Sequence, residues 1–333
     1  MNVDVHAHIL TERAMARMQR ESPEHAPRLV ERSDDGAVLE LGGVRQRPFG
    51  RGAWDIERRL ADMDATGVDV QALSVVVVTF GYHLDPALAT TFAQIQNEEI
   101  ASLVRSHPDR FVGLATLPMQ DPQAAATELR RAIRDLGLRG ALIGTNVAGR
   151  NLDAPEFEPV WDAAQELGAF LFFHPERVAA AERLADYYLT NLLGNPFDTS
   201  VAIASLVFGG VVERFPGLTL CFAHGGGFIP YQRGRLERGW QVRPEPRQKL
   251  KGAPGASFER LYFDSILHSP LALDFLVRTV GAEHILLGSD YPFDMGPEDP
   301  VASITSAVQD PDDRRRILGD TAARLLRLAP KRS

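Results

Sequence analysis

The chain predicts a (β/α)8 barrel. Eight short apolar runs alternate with longer amphipathic stretches from end to end, and the apolar residues of the long stretches recur at three- and four-residue spacing. Helix-start and helix-stop residues stand at the junctions. An open doubly wound sheet shares this alternation, but its first strand is normally followed by a glycine-rich phosphate turn. Here the first apolar run continues into His8-Ile9-Leu10-Thr11.

The eight candidate strands are 2–7, 69–78, 111–117, 140–145, 169–174, 218–224, 260–264 and 285–289. Helical patterns fall over 55–66, 88–106, 121–136, 155–167, 196–214, 270–280 and 311–328. Asp121-Pro122 and Asp153-Ala154-Pro155 supply helix starts with proline in the first turn, and Gly137 and Gly168 mark helix ends. Two segments interrupt the alternation. Residues 10–54, rich in Arg, Gly and Pro, form an insertion after the first strand, and 175–195 form a second after the fifth. Both leave C-terminal strand ends, the face on which a barrel builds its site. No internal repeat goes beyond the βα alternation, and the whole of 1–333 reads as one barrel domain with a basic terminus at Lys331-Arg332.

Bulk composition narrows the class. Hydrophobic residues make up 44% and charged residues 24%, the proportions of an ordinary soluble globular protein. A net charge of −8 with no basic run argues against nucleic-acid binding. No apolar span is long enough for a membrane helix, the first residues open on a strand instead of a leader, and the expected compartment is the cytoplasm. Cys221 is the only cysteine, so an intrachain disulfide and a cysteine-based zinc cluster are excluded; inside an apolar run it reads as a small core residue.

The chemistry begins at Val3-Asp4-Val5-His6-Ala7-His8. Side chains two apart on a strand share a face, roughly 6.6 Å apart along it, so both imidazoles can reach one divalent ion. By itself the pair fits two half-buried strand histidines equally well. The other strand ends add His174-Pro175, His224-Gly225-Gly226-Gly227 and Asp290-Tyr291-Pro292. In a barrel these ends converge, and three imidazoles with a carboxylate suit zinc. His25 and His107 lie in polar loop or helix-end contexts, and His284 precedes the eighth strand at the opposite end. His83 and His268 follow strands two and seven and so could line the pocket, although a polar loop role is the simpler reading.

At this point the chain resembles the metal-dependent amidohydrolase superfamily, and within it the branch typified by 2-amino-3-carboxymuconate 6-semialdehyde decarboxylase. The resemblance runs along nearly the whole chain: D-x-H-x-H in the first strand, Arg47-Pro48 leading to Trp54-Asp55, the run ERRLADMDATGVD over 57–69, Phe80-Gly81-Tyr82, His174-Pro175, CFAHGGG over 221–227, Phe263-Asp264-Ser265, and Leu287 through Phe293. It implies His6, His8, His174 and Asp290 as ligands of one divalent ion, most often zinc with manganese as the other choice. A water or hydroxide fills the open position, with His224 beside it as general base and acid. Binuclear relatives use a carbamylated lysine at the end of strand four, but that strand ends at Thr145 and no lysine precedes Lys249. One ion is therefore expected.

The resemblance further places Arg47 at a substrate-carboxylate position, and Arg235 at one that reaches into the neighbouring subunit of a homodimer. Trp54, Tyr82 and Phe293 are candidate pocket walls, and Asp4 and Asp264 are candidates for holding ligands from behind. Gly225-Gly226-Gly227 either form a simple turn or let substrate and chain pass close to the metal. The implied activity is non-oxidative decarboxylation of a carboxylated unsaturated or aromatic acid, such as a carboxymuconate semialdehyde or a hydroxybenzoate. A hydrolase, lactonase or hydratase on the same scaffold is the alternative; a non-catalytic barrel is disfavoured because every expected ligand and the base are present.

Overall fold

In the computed structural model, which describes residues 1–329, all eight expected strands form and pair in parallel in chain order. They are Val3–Ile9, Val70–Val75, Phe111–Ala115, Gly140–Gly144, Phe170–His174, Thr219–Phe222, Tyr262–Asp264 and Ile285–Leu286. The eighth is the shortest, and closure relies on the chain beyond it. The Val5 amide donates to the Leu287 carbonyl at 2.9 Å, the Asp290 amide to the His6 carbonyl at 2.8 Å, and the His8 amide to the Tyr291 carbonyl at 2.7 Å. The last barrel segment is thereby tied to the strand that carries the two leading histidines.

Alternation along each strand sorts the side chains into two cores. Phe172 points inward, with its ring centroid 4.9 Å from that of His6. One residue later Phe173 faces the outer helices, 6.4 Å from Trp161 and stacked on Phe222 at 4.8 Å. Cys221 is fully buried, as its apolar context predicts. Gly140 is required where strands four and five meet, because an added Cβ would lie 1.8 Å from the Phe170 carbonyl oxygen.

The helices depart from the periodic reading where a local residue overrides it. The expected 88–106 helix starts earlier, at Pro86, since the Asp85 carboxylate accepts from the Ala87 and Leu88 amides as an N-cap. The 155–167 stretch is a 3-10 turn over Pro155–Phe157 followed by a helix over Glu158–Leu167, stopped by Gly168 in the left-handed conformation. The 196–214 stretch splits into Asn195–Phe208 and Val211–Arg214 at Gly209-Gly210. The 311–328 stretch contains a π-turn over Arg316–Asp320. Helices over Glu12–Glu21, Ile229–Val242 and Pro300–Ala307 stand outside the expected set; the first is amphipathic, burying Ala14, Met15 and Met18, and lies within the stretch read as an insertion. In Ile229–Val242 only Ile229 is fully buried, with Leu236 and Trp240 partly buried against the core, so its apolar stripe is thin.

The 10–54 insertion is more ordered than its composition suggests. After the first of those helices it forms a three-stranded antiparallel sheet of Arg28–Val30, Gly36–Leu41 and Val44–Gly50. The 175–195 segment is largely irregular and ends in a π-turn over Thr190–Gly194. No helix among the described residues is long and apolar enough to cross a membrane. The basic pair Lys331-Arg332 lies outside the described residues.

Candidate active site

At the C-terminal mouth of the barrel, His6, His8, His174 and Asp290 each offer one ligand atom, and these four atoms lie within 4.8 Å of one another. Asp290 Oδ1 is 3.2 Å from both His6 Nε2 and His8 Nε2. The three Nε2 atoms and Asp290 Oδ1 are buried without a well-formed hydrogen bond. Four buried polar atoms left unpaired and facing one point carry a large desolvation cost unless a cation completes them. The donor set therefore fits a divalent metal ion held by these four side chains.

Each imidazole is oriented from behind through its other nitrogen. His8 Nδ1 donates to the Val75 carbonyl at 2.8 Å and His174 Nδ1 to the Pro175 carbonyl at 2.7 Å, so in the neutral rings Nε2 keeps its lone pair. His6 Nδ1 lies 2.6 Å from Asp264 Oδ2. The Asp264 carboxylate also accepts from the Gly225 and Ile266 amides, which locks it in place. Burial alone would pull the His6 pKa down, but the Asp290 and Asp264 carboxylates overcome it and hold it at about 10. Burial pushes the His8 and His174 pKa values below the ordinary imidazole value, so these rings are neutral at pH 7. Burial opposes the charge on Asp290, yet His6 beside it keeps its pKa well below the ordinary carboxylate value.

Beneath the ligands lies a buried polar layer. Asp4 accepts from the His6 and Ser289 amides, from the Ser289 hydroxyl and from the Gln71 side chain. The fully buried Arg59 donates to the Gln71 side-chain oxygen, to the Gly52 carbonyl and to the His8 carbonyl, with its guanidinium 4.7 Å from the Tyr291 ring centroid. One arginine thus ties the end of the insertion to the backbone of a ligand-bearing residue. Arg59→Met should lower stability by on the order of 3–5 kcal/mol, because buried acceptors lose their donor and buried Asp4 loses a nearby positive charge. Denaturant unfolding of the metal-loaded protein measures this, and a loss under about 1 kcal/mol would contradict it.

His224 is half-buried beside the ligands, its ring centroid 5.1 Å from that of His174 and 5.5 Å from that of His6. Its Nδ1 is buried and unpartnered, which leaves Nε2 to face the cavity. Burial lowers its pKa, so at pH 7 it is a neutral base. The following glycines correct one expectation. All three have positive φ, and a Cβ would strike Leu267 at Gly225, Phe263 at Gly226 and the Pro196 carbonyl at Gly227. They serve close packing of the chain, and only Gly227 lines the cavity.

That cavity, of about 290 Å³, is lined by His224, Asp290, Asn191, Asn195, His268 and apolar side chains that include Phe228 and Met295. His268 belongs to it, the less favoured of the two readings that its place after the seventh strand allowed. Phe293 packs 5.4 Å from His8 and Trp54 stacks on Phe49 at 5.6 Å; Phe49 is fully buried, and the three aromatics form a packed cluster on the insertion side, outside the cavity lining. Phe49 was not singled out from the sequence because it sits in a strand of mostly polar residues. The other expected contacts lie elsewhere. Tyr82 is buried, stacked on Phe80, and its hydroxyl accepts from the Gly144 amide at 3.1 Å, so it packs the barrel rim instead of walling the cavity. Arg47 is exposed and paired with Glu31 at 2.6 Å, a partner it shares with Arg45, and the chain does not bring it to the ligand cluster. Arg235 lies on the exposed face of the Ile229–Val242 helix, outside the cavity lining.

Comparison with known proteins agrees with this geometry. The amidohydrolase family model matches residues 3–328. A 2-amino-3-carboxymuconate-6-semialdehyde decarboxylase of Dictyostelium discoideum is 36% identical over 346 aligned residues, covering 100% of this chain and 93% of that protein. The crystal structure of 5-carboxyvanillate decarboxylase from Sphingomonas paucimobilis superposes with a TM-score of 0.83 at 26% identity, covering 98% of this chain and 99% of that one. A manganese-bound dihydroxybenzoic acid decarboxylase from Polaromonas shares the fold, with a TM-score of 0.80 at 23% identity over 98% of this chain and 97% of that one. From its first strand to its last helix, the chain belongs to the amidohydrolase family.

Proposed function

We propose that this protein is a metal-dependent, non-oxidative decarboxylase of a carboxylated aromatic or unsaturated acid. The observation that carries the reading is one cavity in which His224 stands beside the buried His6, His8, His174 and Asp290 cluster, in a chain 36% identical along its whole length to a decarboxylase. The four side chains hold one divalent ion, which when bound supplies Lewis-acid stabilisation of negative charge. The donor set favours zinc; manganese, bound in the Polaromonas relative, is the other candidate.

The chain's own residues supply the rest. His224 Nε2, neutral at rest, takes a proton from the bound acid's conjugated system or from water. As the carbon–carbon bond to the carboxylate breaks and carbon dioxide leaves, the imidazolium returns a proton to the vacated carbon. Trp54 and Phe293 are proposed as walls for a planar substrate, supported by the packing of Phe293 against His8. The test is release of carbon dioxide from a panel of hydroxybenzoates and carboxymuconate semialdehydes with the bound metal identified alongside. Hydrolysis of lactones or amides without any carbon dioxide release would overturn the reading in favour of a hydrolase.

The full chain acts in this proposal as one catalytic unit in the cytoplasm, its lone thiol buried at Cys221. Arg235 is proposed to serve the site of a second copy in a homodimer. In support, Tyr231 on its helix is 76% exposed, and Phe275 and Leu271 nearby in the fold are 44% and 82% exposed. Sedimentation showing a monomer under turnover conditions would remove the trans role. Arg47 is proposed to leave Glu31 for a substrate carboxylate, and Arg47→Ala should raise KM more than it lowers kcat.

A further inference from the structure

The segment after the fifth strand sets two amides into the cavity. The π-turn over Thr190–Gly194 runs directly into the helix over Asn195–Phe208. Such wide turns recur at functional positions because they re-aim side chains that regular helix would send elsewhere. Asn191 and Asn195, at the start of the turn and just past its end, both line the cavity that holds His224 and Asp290. Both are half-buried, and neither side-chain amide has a hydrogen-bond partner among the described residues. Amides elsewhere contrast with these. Asn97 donates to the Thr116 carbonyl and to Glu128, and Asn146 donates to the Arg177 carbonyl and to Asp198. Two partly exposed amides with no protein partner are free to exchange water for a ligand group.

The chemistry of the ligand group follows from the charges around it. Apart from Asp290 and the imidazoles of His224 and His268, the lining residues are uncharged, and no lysine or arginine is among them. A charged substituent seated against Asn191 and Asn195 would be desolvated without a countercharge from the lining. A hydroxyl or amino group both donates and accepts, which matches an amide's N–H and C=O together. The volume, about 290 Å³, lies at the small end for ligand pockets and suits a single-ring acid or an open chain of similar size.

We propose that Asn191 and Asn195 are specificity-determining residues that recognise an uncharged hydroxyl or amino substituent on the acid. This rests on the decarboxylase reading, and selects hydroxylated or aminated acids over their alkyl counterparts. The test uses the metal-loaded protein and measures dissociation constants of the 2-, 3- and 4-hydroxybenzoates against the 2-, 3- and 4-methylbenzoates, pairs of similar shape. At least one hydroxy acid should bind about tenfold more tightly than its methyl counterpart. In the Asn191→Leu/Asn195→Leu variant that ratio should fall to near one while the methyl acid binds as before, whereas a collapse of the segment would weaken both. Absence of preference in the wild-type protein at every position, binding of neither series, or a preference that survives the double substitution overturns the proposal. Carbon dioxide release is followed in parallel. A hydroxyl preference lost in the variant but without any carbon dioxide would retain the amide role and discard the decarboxylase.

Discussion

His224→Ala is expected to lower turnover by about 10²–10⁴-fold while the protein keeps its metal. The side chain lies beside the ligand cluster but contributes none of the four converging atoms, so its removal takes a proton carrier and leaves the ion's ligands intact. Half-buried, it also carries little of the fold. The pH profile separates this role from general damage. Burial lowers the His224 pKa, so the neutral base persists below the ordinary imidazole value of 6.5 before activity falls on the acid side. That acid limb should vanish from the residual activity of the variant. Turnover near the wild-type level, or loss of the metal along with activity, would refute the assignment.

Removal of the metal should abolish activity altogether, and one equivalent per chain should restore it. Two ions per chain would overturn the mononuclear reading. A ligand that binds only the folded chain stabilises it by about 2.7 kcal/mol at a hundredfold excess over its dissociation constant, and thermal unfolding before and after chelation measures that difference. The metal-free site titrates in a distinctive way. With its pKa at about 10, His6 holds a proton at neutral pH that an incoming ion must displace. Metal affinity should therefore rise about tenfold per pH unit between pH 7 and 9, measured by competition with a chelator of known pH dependence. A flat profile would contradict the electrostatics described for Asp290 and Asp264. Because the folded His6 pKa is raised, its contribution to the stability of the metal-free chain is full below pH 6.5 and fades as pH rises through about 10. The lowered pKa values of His8, His174 and His224 act in the opposite direction, costing stability as pH falls below 6.5.

Much of this site is legible in the chain because strand periodicity and ligand chemistry are local. His6 and His8 share a strand face, and His174 closes a run of apolar residues at a proline, so each declares its place within a few residues. The supports behind them are less visible. Asp264, a candidate for this role by its place after the seventh strand, pairs with His6 across 258 positions, but nothing local marks Arg59, which reaches the His8 carbonyl across 51. Arg59 sits in a helix rich in charged residues, and only barrel closure reveals that it is fully buried. The exposed ion pair of Arg47 and the rim packing of Tyr82 are equally non-local, which is why their motif context pointed to the pocket and their coordinates do not.

The sequence by itself determined the number and order of the barrel strands, the donor types gathered at their ends, and a fourth strand without lysine. Only the tertiary structure decided how His224 and Asp290 are aimed. Phe222 faces outward with Phe173, so continued alternation would send His224 to the outer face as well. The strand stops at Phe222, and the chain turns through a left-handed His224 that swings its ring toward the ligands. Asp290 is left-handed too, held by the hydrogen bond that its N–H donates to the His6 carbonyl. Side-chain direction is readable from sequence while the backbone repeats. Where it leaves the repeat, packing against distant segments sets the angle, and such turns carry His224, Asp290 and the Asn191–Asn195 side of the cavity.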